Sequence, residues 1–421
     1  MKILYNFGIC LFSILLRIFS PFHAKARMGV LGRKNWKSKV EGIPKNKKVI
    51  WFHCASLGEF DQGLPLMNSL KLKNPDLFLV VTFFSPSGML HYHKRMHVVD
   101  LAMYLPYDTR RNADFFVEKV NPSLVFFVKY EFWQNYIREL SKKNIKLISL
   151  ATLLRPNQYF FKWYGGFFRE GLKKISYYFT QNEETKNLLN TIGIYEIAVV
   201  GDTRYDRVSE NKKLFLETLE AGISSHTAIF ESFLAQEKAL IFGSSWGKEL
   251  AILIDLLKDD WKGKIIIAPH DISESNVRKI QFLLKEKAIK FTDFKNYKEE
   301  QVLILDTIGQ LSTAYYYGKI ACIGGGFSGN LHNILEPAVF GLPVLFGPKH
   351  SKFPEADQFT EVGIGFEFHD FASFKIQLSY CLENNAVLNK KTLAFMDERK
   401  GVCEKILSNP ITYQNFMTQQ K

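Results

Sequence analysis

KIACIGGGFSGNLHNILEPAVFGLPVLFGP, residues 319–348, reads as one complete strand–loop–helix–strand unit. An apolar run ends in three glycines, a short helical stretch follows, and LPVLF supplies a second apolar run before Gly347-Pro348. Both runs are apolar at successive positions, the mark of strands buried on two faces in a parallel sheet. Gly324-Gly325-Gly326-Phe327-Ser328-Gly329 formally matches G-x-G-x-x-G, but that match is weak by itself. A dinucleotide site wants an acid at the end of the next strand to hold the ribose, and LPVLF runs instead into Gly347-Pro348-Lys349-His350. The helix is also cut short by Pro337. What the loop offers is close backbone approach and N–H groups for an anion. Asn333 stands as a polar cap, and the Glu336 carboxylate one turn on can accept two hydrogen bonds from a ribose diol. The competing reading of this element is an ordinary capped helix N-terminus.

The same alternation extends outward in both directions. Strands are expected at 239–243, 264–268, 288–292, 302–305, 319–324 and 342–346, and earlier at 49–54, 78–82, 124–128, 145–149, 176–180 and 197–200. Helical stretches such as 59–72, 111–119 and 132–143 lie between them. Around 201–237 the chain turns polar and loses its strand signal, which places a boundary there. The predicted fold is α/β of the GT-B type: two Rossmann-like domains, 23–206 and 207–421, whose parallel sheets face a cleft, preceded by an anchoring helix at 1–22. A chain of 421 residues suits two such cores.

Residues 1–48 carry eleven Lys and Arg against one acid, Glu41, and so hold +10 of the formal +13. The stretch follows ILYNFGICLFSILL at 3–16. An apolar helix beside a basic run suits an anionic lipid surface, at roughly 1 kcal/mol per cation near it. A cleaved signal peptide (Ala24-Lys25-Ala26 resembles a cleavage site), a single span and an interfacial anchor compete. Arg17 inside the apolar stretch opposes a deep span, and the anchor on the inner leaflet is preferred. Charge placed this way, next to an apolar helix, points to membrane and not to nucleic acid. Five cysteines without metal-like spacing read as reduced thiols, in keeping with cytosol.

Three further segments sit at expected strand ends. Ser56-Leu57-Gly58-Glu59 is either a capping box, with Glu59 bonding back from N3, or a general base at the carboxyl edge of the first strand. Thr307-Ile308-Gly309-Gln310 and Pro269-His270 are candidate nucleotide contacts.

Together WFHCASLGEFDQGLPL, TFFSPSG, MYLPYD, EFWQN, GDTRYD, IIIAPH, LDTIGQL and GGGFSGNLHNILEPAVFGLPVLFGP resemble, in order, the motifs of the 3-deoxy-D-manno-octulosonic acid (Kdo) transferases. The resemblance covers about residues 50–350. It implies metal-independent, inverting transfer of Kdo from CMP-Kdo to the lipid A precursor (lipid IVA) at the cytoplasmic face of the inner membrane, with no cofactor. It assigns Glu59 as general base, and Glu131 and Arg204 as groups steadying the transition state. The implied CMP contacts are Pro269, His270, Ile308, Gly309, Gln310, Asn333, Ile334, Leu335 and Glu336. Arg204 stands where the family usually has Lys, Ala268-Pro269-His270 where it has Pro-Arg-His, Leu150-Ala151-Thr152 (with Arg155 nearby) where it has Asn-Ala-Arg, and Trp246 where it has His. The alternatives are a GT-B transferase using a UDP-sugar and a membrane-tethered nucleotide-binding protein without activity.

Overall fold

The computed structural model describes residues 1–222 and 227–417. Residues 223–226 and 418–421, which the second-domain reading includes, lie outside the described residues. The chain forms two compact units, Val208–Lys400 and Met1–Arg207 with the stretch from Gly401 onward. The sequence reading runs the second domain to the C-terminus, whereas this last stretch packs with the first unit. Two interactions explain the return. The Asp206 carboxylate accepts the N–H groups of Val402 (3.2 Å) and Cys403 (2.6 Å), capping the Val402–Ser408 helix. Val402, Cys403, Ile406 and Leu407 then complete the apolar cluster around Ile50, Phe52 and Phe126.

The first unit is built on a seven-stranded sheet in the order β3-β2-β1-β4-β5-β6-β7, all pairs parallel. Its strands are β1 Val49–Cys54, β2 Phe78–Phe83, β3 Leu101–Tyr104, β4 Leu124–Val128, β5 Lys146–Thr152, β6 Tyr177–Thr180 and β7 Ile197–Val199. Alternate residues of a strand point to opposite faces, so β1 feeds two cores. Val49 and Trp51 join Val80, Phe127 and Tyr136 on one face, while Ile50, Phe52 and Cys54 join Phe60, Val81 and Phe126 on the other. Each such fully buried aliphatic or aromatic side chain is worth about 1.5–3 kcal/mol.

The second unit repeats the plan in the order β10-β11-β9-β8-β12-β13-β14. Here β8 is Ala239–Ser245, β9 Ile265–Pro269, β10 Ala288–Lys290, β11 Val302–Ile304, β12 Gly318–Ile323, β13 Val344–Phe346 and β14 Gly365–Glu367. The edge strands β3 (LAMY) and β14 (GFE) were not expected, being too short to show a periodicity of their own. In each sheet the chain starts centrally, winds out one way, then crosses to the other side. The reversal lies between β1 and β4 in the first unit and between β8 and β12 in the second. Ligand sites of doubly wound sheets form at the carboxyl ends of the strands flanking such a reversal.

The Lys2–Phe19 helix is long and apolar enough to cross a membrane by length and composition, with mean hydropathy 1.6 and no buried residue. It is nonetheless tied to the first unit along one side. The Tyr5 hydroxyl donates to Asp108, Asn135 Nδ2 donates to Asn6 (3.0 Å), and Phe12 stacks on Phe84 at 6.2 Å. Burial lifts the Asp108 carboxyl to about 7, against the pull of Tyr5 and of the Asn135 and Tyr136 N–H groups it accepts. Arg33, counted in the basic front, is buried. It donates to the carbonyls of Gly29, Phe84 and Leu105 at 2.8–2.9 Å, under the rings of Phe84, Tyr104 and Tyr107. Its charge is therefore spent on docking the N-terminal segment and not offered to a surface.

Candidate active site

In the first unit β1 runs into the Leu57–Lys73 helix, whose N-cap is Ser56. Only half of the capping box forms. The Ser56 hydroxyl makes no cap bond, whereas the Glu59 carboxylate turns back to accept the Ala55 N–H. Glu59 is 6% exposed. Burial raises its carboxyl to about 7 and the Glu131 charge pushes the same way, opposed by Lys129 and by the N–H groups of Ala55 and Ser56. Glu131, on the loop leaving β4, is also raised to about 7 by burial, with the Trp133 side chain pulling it down. The two acids meet because β1 and β4 are paired neighbours, with Phe52 opposite Phe126, and chains leaving adjacent strands start about 5 Å apart. Repelling carboxylates in a poorly solvated site titrate as a pair, one favouring the proton while the other is charged.

Lys129, unremarked in the sequence, belongs to this group. It leaves β4 with φ 65°, a left-handed conformation that costs a side-chain-bearing residue about 1 kcal/mol or more, and its N–H is held by Leu150 O at 2.8 Å. Its charge favours the ionised forms of both Glu59 and Asp202. A lone Lys ahead of an EFW motif gives no periodic or spacing signal, so only the turn of the backbone identifies it.

Arg204 is engaged by Asp202, with Nη2 at 2.7 Å and Nε at 2.8 Å from Oδ2. Burial works against the Asp202 charge, but Arg204 overcomes it and holds the carboxyl below its usual range. The segment is clipped to the Leu57–Lys73 helix just past Glu59. Gln62 Nε2 donates to Asp202 (3.4 Å), the Thr203 hydroxyl donates to Gln62 O, and Arg207 pairs with Asp61. Behind the acids, His53 is kept neutral, burial pushing it down to about 3. Its Nε2 accepts the Trp133 indole N–H at 3.0 Å, and Nδ1 lies 3.1 Å from Thr82 O. Arg155 is exposed on the loop after β5, and its charge reaches Tyr130.

In the second unit the expected nucleotide segments leave β11, β9 and β12, which lie together in the sheet with β8 between the last two. The glycine loop behaves differently from expectation. Gly324 N–H bonds Gly243 O (2.9 Å), and Gly325 N–H is taken by the buried Glu249 carboxylate (3.1 Å), so these two amides are already paired. A Cβ on Gly324 would lie 2.1 Å from Ser244 O, one on Gly325 2.1 Å from Asn330 O, and one on Gly326 2.5 Å from Gly347 N. The glycines are there to let backbone pack on backbone.

Asn333 Oδ1 accepts the Leu335 N–H and its Nδ2 donates to Glu336 Oε1, both at 3.1 Å, which orients the half-buried Glu336 carboxylate. Ile334 and Leu335 are fully buried, so any contact through them is with backbone. Ile308 is exposed beside Gly309, which takes φ 97° at the start of the Gln310–Tyr316 helix. Pro269 is buried at the end of β9, and the exposed His270 stacks on Trp246, with ring centroids 4.3 Å apart and planes 19° apart.

Two doubly wound parallel sheets, one carrying a buried acid pair at its reversal and the other an oriented Asn333–Glu336 pair after β12, define the GT-B class of glycosyltransferase fold. Residues 24–207 match the family model described as 3-deoxy-D-manno-octulosonic-acid transferase (kdotransferase). The chain is similar to the Kdo transferases over most of its length. Among its relatives, the 3-deoxy-D-manno-octulosonic acid transferase of Aquifex aeolicus is 27% identical over 78% of this chain and 84% of its own. A bifunctional glycosyltransferase/methyltransferase of Fusobacterium nucleatum subsp. nucleatum is 24% identical over 97% of this chain, which spans 64% of that protein's length. The fold is similar to UDP-GlcNAc 2-epimerase from Neisseria meningitidis bound to UDP-GlcNAc, with TM-score 0.61 and 16% identity over 86% of this chain and 98% of the other.

Proposed function

We propose that this protein transfers Kdo from CMP-Kdo to the lipid A precursor with inversion, using Glu59 as general base. The observation that carries the reading is the Glu59 carboxyl, buried at the reversal of the first sheet and raised to about 7, where it can both hold and release a proton near neutral pH. Glu59 removes the proton of the attacking acceptor hydroxyl as its oxygen bonds the anomeric carbon. The bond from that carbon to the CMP phosphate oxygen breaks, and CMP departs with the electron pair. Glu131 keeps the base from being too weak, and Arg204 offsets negative charge on the departing phosphate. Pro269, His270, Ile308–Gln310 and Asn333–Glu336 are the assigned nucleotide contacts.

The Lys2–Phe19 helix serves as an in-plane anchor at the cytoplasmic face of the inner membrane. In support, Tyr5, Asn6 and Phe12 hold it along the first unit while Ile3, Leu4, Phe7, Ile14 and Phe19 stay exposed. A lipid acceptor that stays in the bilayer explains why the enzyme needs such an anchor. Calorimetry with CMP and UDP tests the donor: CMP is expected to bind and UDP not to, and the reverse would replace the reading with a UDP-sugar transferase. Deleting residues 1–22 should release the protein from anionic vesicles; unchanged binding would overturn the anchor.

A further inference from the structure

Trp246, His270 and His332 form a ring cluster at the carboxyl ends of β8, β9 and β12. The Trp246 indole lies flat on His270, the His270 and His332 rings are 4.9 Å apart at 51°, and the indole Nε1–H points at His332 Nε2 across 3.4 Å. The backbones of the three residues are cross-linked as well. His270 N–H bonds Ser245 O (3.0 Å), His332 N–H bonds Gly324 O (3.1 Å), and Glu249 accepts both Trp246 N–H (3.0 Å) and Gly325 N–H (3.1 Å).

An indole N–H can only donate, so the imidazole nitrogen facing it must be unprotonated and accept. A neutral imidazole has one donor and one acceptor, and its proton then resides on Nδ1. We propose that Trp246 is a positioning residue of the nucleotide site: it locks His332 as the neutral Nδ1–H tautomer and fixes the plane of His270, so that both rings present preset hydrogen-bonding edges to a nucleotide phosphate. The binding part of this inference rests on the nucleotide reading above; the tautomer part does not. Burial of His332 and the neighbouring His270 work in the same direction, disfavouring a second proton. The first unit contains the same device, where the Trp133 indole N–H donates to Nε2 of the neutral His53. Locking the tautomer in advance spares the ligand the cost of selecting one of two forms.

Histidine side-chain 15N spectra of the whole protein test the lock, with His332 assigned by its loss in His332→Gln. Wild-type His332 is expected as a single neutral form protonated at Nδ1; a resonance protonated at Nε2, or at both nitrogens near pH 7, overturns the lock without any Trp246 variant. Trp246→Phe keeps a ring for His270 to stack on and removes the N–H. It should shift the His332 spectrum toward a mixture of tautomers, weaken CMP binding about 3–10-fold and raise the donor KM equally, while kcat at saturating donor stays within twofold. An unchanged His332 spectrum in Trp246→Phe refutes the lock. A mixed spectrum with unchanged CMP affinity refutes the positioning role. Should wild-type protein bind no CMP, the nucleotide reading falls, while the spectra still decide the tautomer.

Discussion

Replacing Glu59 by Gln removes a charge that the fold holds against its solvation. The carboxyl is raised from 4.5 to about 7, so between those values the folded chain keeps a proton that the unfolded chain has lost. Its contribution to stability is present below about 4.5 and falls away as pH rises through about 7. Each tenfold rise in proton affinity corresponds to about 1.4 kcal/mol, so ionising this group in place costs about 3 kcal/mol. Gln carries no such cost. Gln keeps an amide oxygen that can accept the Ala55 N–H, so that bond does not enter the comparison. Relative to wild type, Glu59→Gln should therefore gain about 2–3 kcal/mol of stability on going from pH 4 to pH 8.5. Hydrogen exchange of the Val49–Cys54 amides, corrected for intrinsic rates, reports the first unit alone and avoids treating two units as one transition. A difference below about 1 kcal/mol, or a Gln variant less favoured at high pH, would show that Glu59 is not a buried acid. The same variant should lose at least about 100-fold in Kdo transfer while binding CMP as before. Retained transfer would remove Glu59 from the chemistry.

Glu131→Gln takes away the like charge that helps hold the Glu59 carboxyl up, so the acid limb of the pH–rate profile should move to lower pH; a limb that stays or rises would refute the coupling. Gly324→Ala drives a Cβ to 2.1 Å from Ser244 O, backbone against backbone, and should cost about 1–3 kcal/mol in the thermal unfolding of the second unit; a wild-type midpoint would refute the packing role.

Much of the architecture is legible in the chain. Apolar runs such as VIWFHC and LVFFV read as doubly buried parallel strands, and their spacing leaves room for one helical crossover each. Glu59 stands out as an acid at a strand end, whereas Glu131 is named only through the resemblance of its EFW motif. Whether Glu59 is a cap or a base could not be read from S-x-x-E, since both readings use the same four residues. The tertiary structure shows a bond back to Ala55 and a neighbouring carboxylate that raises its proton affinity. That neighbour comes from β4, far along the chain, and pairing between strands is not a local property.

The glycine loop shows the reverse case. Three glycines in a row suggested amides facing an anion, yet Glu249, from a different helix, and Gly243 take two of them, and the missing Cβ atoms make room for backbone. Lys129 carries no pattern in the linear chain, and although His270 and Trp246 stand in motifs, nothing linear brings them and His332 into one cluster. Linear pattern sets most of the segments that become strands, and therefore many of the residues that stand at their carboxyl ends. Which of those residues share a field or a ring face is settled only when the elements pack. Periodicity records the burial of one element, whereas proton affinity and stacking depend on what other elements bring within a few ångströms.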